Sequence, residues 1–278
     1  MSATPLLKVE DLTITFHAHE KATVAASGVS YELNSGEVLA VVGESGSGKS
    51  VSALALTQLL PSAPTCVVSG KIILEGTNLL SLSEKEISKY RGKVIAYIFQ
   101  DPGTSLNPVY SVEFQIAEAI KIHRPEISEV HAAVIQSLNE VRIHEPEKVA
   151  QQYPHELSGG MQQRVMIAMA LACNPRILVA DEPTTALDVT IQKEIIDLLA
   201  HLCRQRGMSI LLITHNFGIV ANFANRVIVM RHGKVVETGS AQHVLENPTH
   251  PYTQGLIACI PRLGQKRHRL TTLPTELS

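Results

Sequence analysis

The apolar run Val38-Leu-Ala-Val-Val42 ends abruptly on Gly43-Glu-Ser-Gly-Ser-Gly-Lys-Ser50. That octet fills every fixed position of G-x-x-x-x-G-K-[ST]. A continuous apolar strand needs cover on both faces. Here it must also feed straight into a glycine-built turn and then into a helix, expected over Ser50–Leu60. Few folds satisfy all three demands. Gly43, Gly46 and Gly48 let the backbone curl because they lack a Cβ. Curled amides and a helix N-terminus together make an anion cradle. Glu44, Ser45 and Ser47 contribute their backbone to that cradle. The Lys49 ammonium suits β- and γ-phosphates, and the Ser50 hydroxyl suits the Mg²⁺ that bridges them. A dinucleotide turn is the weaker reading, since Val51 stands where a third glycine belongs.

Three more apolar runs read as buried strands: Val94–Phe99, Ile177–Ala180 and Ile210–Thr214. Helical patterns over Gly160–Cys173 and Thr190–Arg206 alternate with them, which implies an α/β fold with a parallel central sheet. Leu7–Phe16, Gly28–Leu33 and Val67–Leu74 read as antiparallel pieces. The stretch 104–160 lacks strand runs and reads as a helical insertion, with helices over Val112–His123 and Ser128–Val141. Residues 1–240 are thus expected to form one nucleotide-binding domain. Residues 241–278 form an extension with a helix over Thr253–Cys259 and a basic tail.

The strand Ile177–Ala180 ends on Asp181-Glu182. Ligands of open α/β sheets bind at the carboxyl ends of strands. Asp181 is therefore suited to hold Mg²⁺, and Glu182 to polarise water as general base. A further anion-binding helix start follows from Leu157-Ser-Gly-Gly-Met-Gln-Gln-Arg164, where Ser158 can cap a helix and Gly159 and Gly160 expose amides. Its position suggests that it meets a nucleotide held by another subunit.

That run resembles the signature motif of ATP-binding cassette (ABC) ATPases, and the resemblance spans almost the whole chain. It implies a P-loop NTPase (RecA-like) core with a parallel sheet, an antiparallel β subdomain and an inserted helical subdomain. It implies ATP and Mg²⁺ as ligands. Under it, Phe16 stacks on adenine, and Gln100 is the glutamine that senses Mg²⁺ and the γ-phosphate. Ala186-Leu-Asp188 is the D-loop, and His215 is the switch histidine. Two departures appear: Asn216 where Asp is common, and Thr185 where Ser is common. The other histidines singled out (His17, His123, His131, His144, His155) have no ligand spacing and are expected to be solvated.

Composition bounds the partners. Lys plus Arg total 24 and Asp plus Glu 26, a net charge of −2. That balance argues against nucleic acid, which requires a basic surface. The longest apolar run, Val165–Cys173, falls well short of the ~20 residues of a membrane span. Met1–Lys8 shows no basic stretch followed by an apolar one, so no export signal is expected. Four scattered cysteines argue against a disulfide framework or zinc site. A soluble intracellular chain is the expectation.

Asn247–Pro261, Gln100–Pro108 and the pair Glu44-Ser45 are similar to the peptide and nickel importer branch of the family. The resemblance implies an ATP-hydrolysing importer subunit for di- or oligopeptides, peripheral on the cytoplasmic face of the inner or plasma membrane. Its implied partners are a second ATPase subunit (identical or homologous), two transmembrane permease subunits and a solute-binding protein. Nickel or another small solute is the alternative cargo. A soluble, non-transport ABC ATPase is the more distant alternative. Only Cys259 lies in the tail, so no iron–sulfur cluster is expected there. Arg262, Lys266, Arg267, His268 and Arg269 read as a solvated basic tail.

Overall fold

The structure is a computed structural model and describes residues 4–18, 21–185 and 187–259. Ala186 and the basic tail group lie outside them. Along the chain the elements are β1 (Leu7–Ala18), β2 (Lys21–Leu33), β3 (Val38–Val42), α1 (Lys49–Ala55), β4 (Cys66–Leu74), β5 (Thr77–Asn78), α2 (Glu84–Ile87), β6 (Ile95–Ile98) and α3 (Pro102–Ser105). There follow α4 (Val112–His123), α5 (Val130–Glu140), α6 (Pro146–Gln151), α7 (Gly159–Ala172), β7 (Ile177–Asp181), α8 (Val189–Arg206) and β8 (Ser209–Ile213). The chain closes with α9 (Phe217–Phe223), β9 (Arg226–Arg231), β10 (Lys234–Ser240), α10 (Ala241–Glu246) and α11 (Pro251–Ala258). Two compact units emerge, residues 1–80 with 212–278, and residues 81–211.

In the first unit, β2, β1, β4 and β5 form an antiparallel sheet in that order. Leu7, Val9, Leu12 and Ile14 of β1 are buried and alternate with more exposed neighbours, apart from a shift in register at Asp11. β2 begins at Lys21, seven residues before the expected Gly28. The added stretch is largely exposed, so it carries no burial pattern. All of β3 is buried. It pairs in parallel with β9, from Leu39↔Arg226 to Val42↔Val229. β9 turns into antiparallel β10 through His232-Gly233, both at positive φ (47° and 76°), the conformation a tight hairpin favours. Helix α1 stops at Ala55, short of the expected Leu60. Gln58 is left-handed at φ 54° and Pro61 follows.

The C-terminal elements belong to this unit's core. Ala40, Val42, Val227 and Val229 pack with Phe217, Val220, Ala241, Val244 and Tyr252. The chain reaches Tyr252 through a polar turn. Glu237 of β10, only 8% exposed, accepts from Thr249 N (2.7 Å), Thr249 Oγ1 (2.9 Å) and His250 N (3.1 Å). Pro251 opens α11, where a missing N–H costs nothing.

In the second unit β6 and β7 pair in parallel, Ile95↔Ile177 to Ile98↔Ala180. Helices α4 and α5 pack on α7. Side-chain caps fix several helix starts: Ser111 Oγ accepts from Phe114 N (3.3 Å), and Asp188 Oδ1 accepts from Thr190 N and Ile191 N (3.0 Å each). Gly207, left-handed at φ 61°, ends α8. Arg206 pairs with Glu140 and donates to Leu171 O at 2.8 Å. His123 is not solvated as expected. It is half-buried against Gly92, and burial together with nearby Lys93 lowers its pKa.

Burial alone would raise the Glu237 carboxyl, but the donors from Thr249 and His250 outweigh it and hold the group below the usual carboxylate range. A carboxylate with a depressed folded pKa stabilises above its unfolded value, about 4.3, and loses that contribution as pH falls through its folded value. Acidification from pH 6 should therefore lower the melting temperature, and Glu237→Gln should flatten that dependence while lowering stability at pH 7. Parallel melting curves against pH for the two proteins would contradict the assignment.

Candidate functional site

The phosphate loop sits at the carboxyl end of β3, in the first unit. Gly43 is at φ 153°, and a Cβ there would meet Met230 O at 2.2 Å. Gly48 is at φ 93°, and a Cβ there would meet Ala25 O at 2.3 Å. Only glycine tolerates both the conformation and the approach. One backbone bond ties the loop to the hairpin, Gly233 N to Ser47 O (3.2 Å), and another ties that hairpin to β2, Ser27 N to Gly233 O (2.8 Å).

Lys49 is 7% exposed. Its Nζ donates to Gly43 O (2.9 Å), Glu44 O (2.7 Å) and Ser47 Oγ (3.2 Å). A buried ammonium without acceptors would cost several kcal/mol, and the curled loop supplies them. Ser45 and Gly46 are exposed, Ser47 and Gly48 buried, and Glu44 and Ser50 half-buried. The exposed rim is where an anion can enter.

Two other expected residues belong to this unit. Phe16 is half-buried on β1, opposite Thr23 and Cys66. His215 is exposed between β8 and α9. The departure Asn216 has a local reason. Its Oδ1 accepts from Gly218 N (2.9 Å) and caps α9, a task Asn performs as well as Asp.

The second unit carries the carboxylates. Asp181 ends β7, and Glu182 follows at φ 47°. A left-handed glutamate is uncommon and is held by its surroundings. Its Oε2 accepts from Thr185 Oγ1 (2.8 Å) and from Gln100 Nε2 (3.3 Å). The structure thus brings Gln100 to Glu182 across 82 residues of sequence. Thr185, noted above only as a departure, turns out to anchor that carboxylate. Gln192 Nε2 donates to Thr184 O (3.0 Å) and Leu187 O (3.2 Å), fixing the loop that follows.

The signature run starts α7. Ser158 Oγ accepts from Met161 N (3.4 Å). A Cβ on Gly160 would meet Ile191 at 3.2 Å, so the glycine lets the starts of α7 and α8 approach. Arg164 ties α7 to Glu194 of α8 (2.7 Å) and to Val141 O beyond α5 (2.9 Å). Sequence reasoning did not assign this arginine a role; its motif position was the only signal.

The residues expected to hold Mg²⁺ all offer oxygen: the Ser50 hydroxyl, the Asp181 carboxylate and the Gln100 carboxamide. Hard Mg²⁺ takes such donors and usually keeps phosphate and water ligands as well. Among the described residues no group of three His, Cys, Asp or Glu could hold a metal by itself.

A strand running into a glycine cradle around a buried lysine, with carboxylates ending another parallel strand, defines a P-loop NTPase of the α/β class. Residues 26–185 match the family described as ABC transporter, and residues 236–278 match that described as Oligopeptide/dipeptide transporter, C-terminal region. The chain is 49% identical over 270 residues to the probable peptide ABC transporter ATP-binding protein y4tR of Sinorhizobium fredii, covering 97% of this chain and 80% of that protein. It is 50% identical over 274 residues to the oligopeptide transport ATP-binding protein OppD of Bacillus subtilis, covering 98% and 76%. A solved dimeric structure of the ATP-binding cassette MJ0796 in a post-hydrolysis state, bound to ADP and Pi, matches with TM-score 0.75 and 28% identity over 84% of this chain and 98% of that one. The chain belongs to the ABC transporter family.

Gly48→Ala should lower the melting temperature by several degrees and weaken nucleotide binding, because the methyl meets a backbone carbonyl at a disfavoured φ. Thermal unfolding with and without ATP checks this, and an unshifted midpoint would refute the packing argument.

Proposed function

We propose that the chain is the ATP-hydrolysing subunit of an ABC importer that takes up di- or oligopeptides. The observation that carries the ATP part is the buried Lys49 ammonium inside a cradle of loop acceptors, which phosphate oxygens can replace. The peptide part rests on the match of residues 236–278 and on the names of the relatives.

In this reading the amides of Gly43–Ser50 and Lys49 bind the β- and γ-phosphates, and Phe16 stacks on adenine. Ser50, Asp181 and Gln100 are the residues that would hold Mg²⁺, and the ion would supply charge neutralisation for the phosphate oxygens. Glu182 takes a proton from water as the water oxygen attacks the γ-phosphorus, and ADP carries away the electrons of the broken P–O bond. The contacts from Thr185 and Gln100 keep the carboxylate in one orientation, and Gln100 links base to ligand. His215 contacts the γ-phosphate. Ser158, Gly159 and Gly160 complete the site of a second ATPase subunit, identical or homologous. Two such subunits would close on two ATP molecules and reopen after hydrolysis, a population shift driven by ATP binding. Closure would act on two transmembrane permease subunits supplied by a solute-binding protein. The domain division is proposed as residues 1–240 with the insertion 104–160, and 241–278 as the extension.

The chain would then sit peripherally at the cytoplasmic face of the inner or plasma membrane. Among the described residues no helix is long and apolar enough to cross a membrane. Part of the surface near Gln100 should be apolar for docking. Phe99, next to Gln100 in sequence, is exposed, as are Val109, Tyr110 and Phe114 in the insertion, with Tyr110 stacked on Phe114.

Two substitutions separate binding from chemistry. Lys49→Ala should weaken ATP affinity about tenfold or more, through loss of charge-assisted bonds; unchanged affinity in equilibrium binding would mean the loop is misread. Glu182→Gln should leave ATP binding intact and reduce hydrolysis by about 10² or more, so normal turnover would remove Glu182 as base. Stimulation of ATPase activity in the purified transporter by peptides, and not by Ni²⁺, tests the cargo.

A further inference from the structure

Nothing in the sequence connects the C-terminal segment to the phosphate site. In the structure its tyrosine reaches that site. Tyr252 is fully buried in the first turn of α11, 208 residues from Glu44, yet its hydroxyl accepts the Glu44 backbone N–H at 3.1 Å. The Arg231 guanidinium lies over its ring, 5.1 Å from the centroid. Burial raises the tyrosine pKa, so the hydroxyl is neutral at physiological pH.

The amide it grips is the informative one. The Gly43–Glu44 peptide is a single planar unit. Its N–H goes to Tyr252, and its C=O, that of Gly43, accepts from Lys49 Nζ at 2.9 Å. One rigid plate therefore bridges the tyrosine and the loop lysine. The next carbonyl, that of Glu44, also accepts from Lys49, at 2.7 Å. Gly43 has no Cβ to resist rotation of this plate, so something else must hold it. Tyr252 is itself anchored: the turn before it is locked to Glu237, and His250 Nδ1 accepts from Tyr252 N at 3.1 Å.

We propose that Tyr252 is a positioning residue of the phosphate loop, its hydroxyl fixing the Gly43–Glu44 peptide so that Lys49 is aimed before nucleotide arrives. The extension thereby becomes part of the nucleotide site's support. Linkage makes the effect reciprocal, so bound nucleotide should steady the 247–259 segment. This rests on the reading of Gly43–Ser50 as the ATP phosphate site.

The test compares wild type, Tyr252→Phe and Lys49→Ala in the purified, complete transporter. Tyr252→Phe keeps the ring and its packing and removes only the acceptor. It should weaken ATP affinity about fivefold, the scale of one neutral hydrogen bond, with kcat nearly unchanged and the melting temperature lowered by a few degrees at most. Hydrogen exchange should speed up in the Gly43–Ser50 loop and, with ATP bound, lose part of the protection of 247–259. Wild-type affinity in Tyr252→Phe, beside a clear loss in Lys49→Ala, would overturn the positioning role alone. Unchanged affinity in Lys49→Ala would overturn the phosphate-site reading and this inference with it. A general drop in melting temperature and kcat without an affinity change would also overturn it, since that is the signature of packing alone.

Discussion

A buried ammonium must be surrounded by oxygen, and Lys49 sets that demand on the loop of this chain. Three acceptors from Gly43, Glu44 and Ser47 meet it, and all three come from within six residues. To converge on one point the backbone must turn through conformations only glycine adopts readily. Those glycines in turn allow Met230 O and Ala25 O to press against the loop, where any Cβ would collide. β9, β2 and the His232-Gly233 hairpin therefore serve as walls for a cavity-sized problem in electrostatics.

A comparable economy governs the second unit. The Glu182 carboxylate accepts from two neutral donors, Thr185 and Gln100, and it sits on a residue at φ 47°. The two contacts fix the direction in which that carboxylate points. The long helices around it are fixed by buried-stem arginines, Arg164 and Arg206, that bond both carboxylates and carbonyls of neighbouring helices. Such bidentate use of guanidinium suits helix ends, where carbonyls lack partners.

The C-terminal extension changes meaning between sequence and structure. By sequence it is a Pro-containing appendage recognisable only through its likeness to one branch of transporters. In the fold its Glu237-centred turn and Tyr252 complete a core cluster that includes β3 itself. The segment that marks the branch thus packs against the strand that carries the phosphate loop.

How much was legible depends on sequence distance. β3, the phosphate loop and the cap at Ser158 arise from neighbouring residues, so local pattern sufficed to read them. β9 and β10 were not read, although the chain carries a His-Gly turn between two apolar runs, because the β10 run is mixed in polarity. The early part of β2 was missed for the same reason: exposed strand has no burial period. His123 looked like any surface histidine until Gly92 packed on it. By itself the sequence determined which chemistry is present, a lysine, a hydroxyl and carboxylates at strand ends, since motif spacing dictates local backbone geometry. Only the tertiary structure decided which groups steady one another: Gln100 with Glu182, and Tyr252 with Glu44. Contacts across 82 and 208 residues depend on how the whole chain packs, and no local rule encodes them.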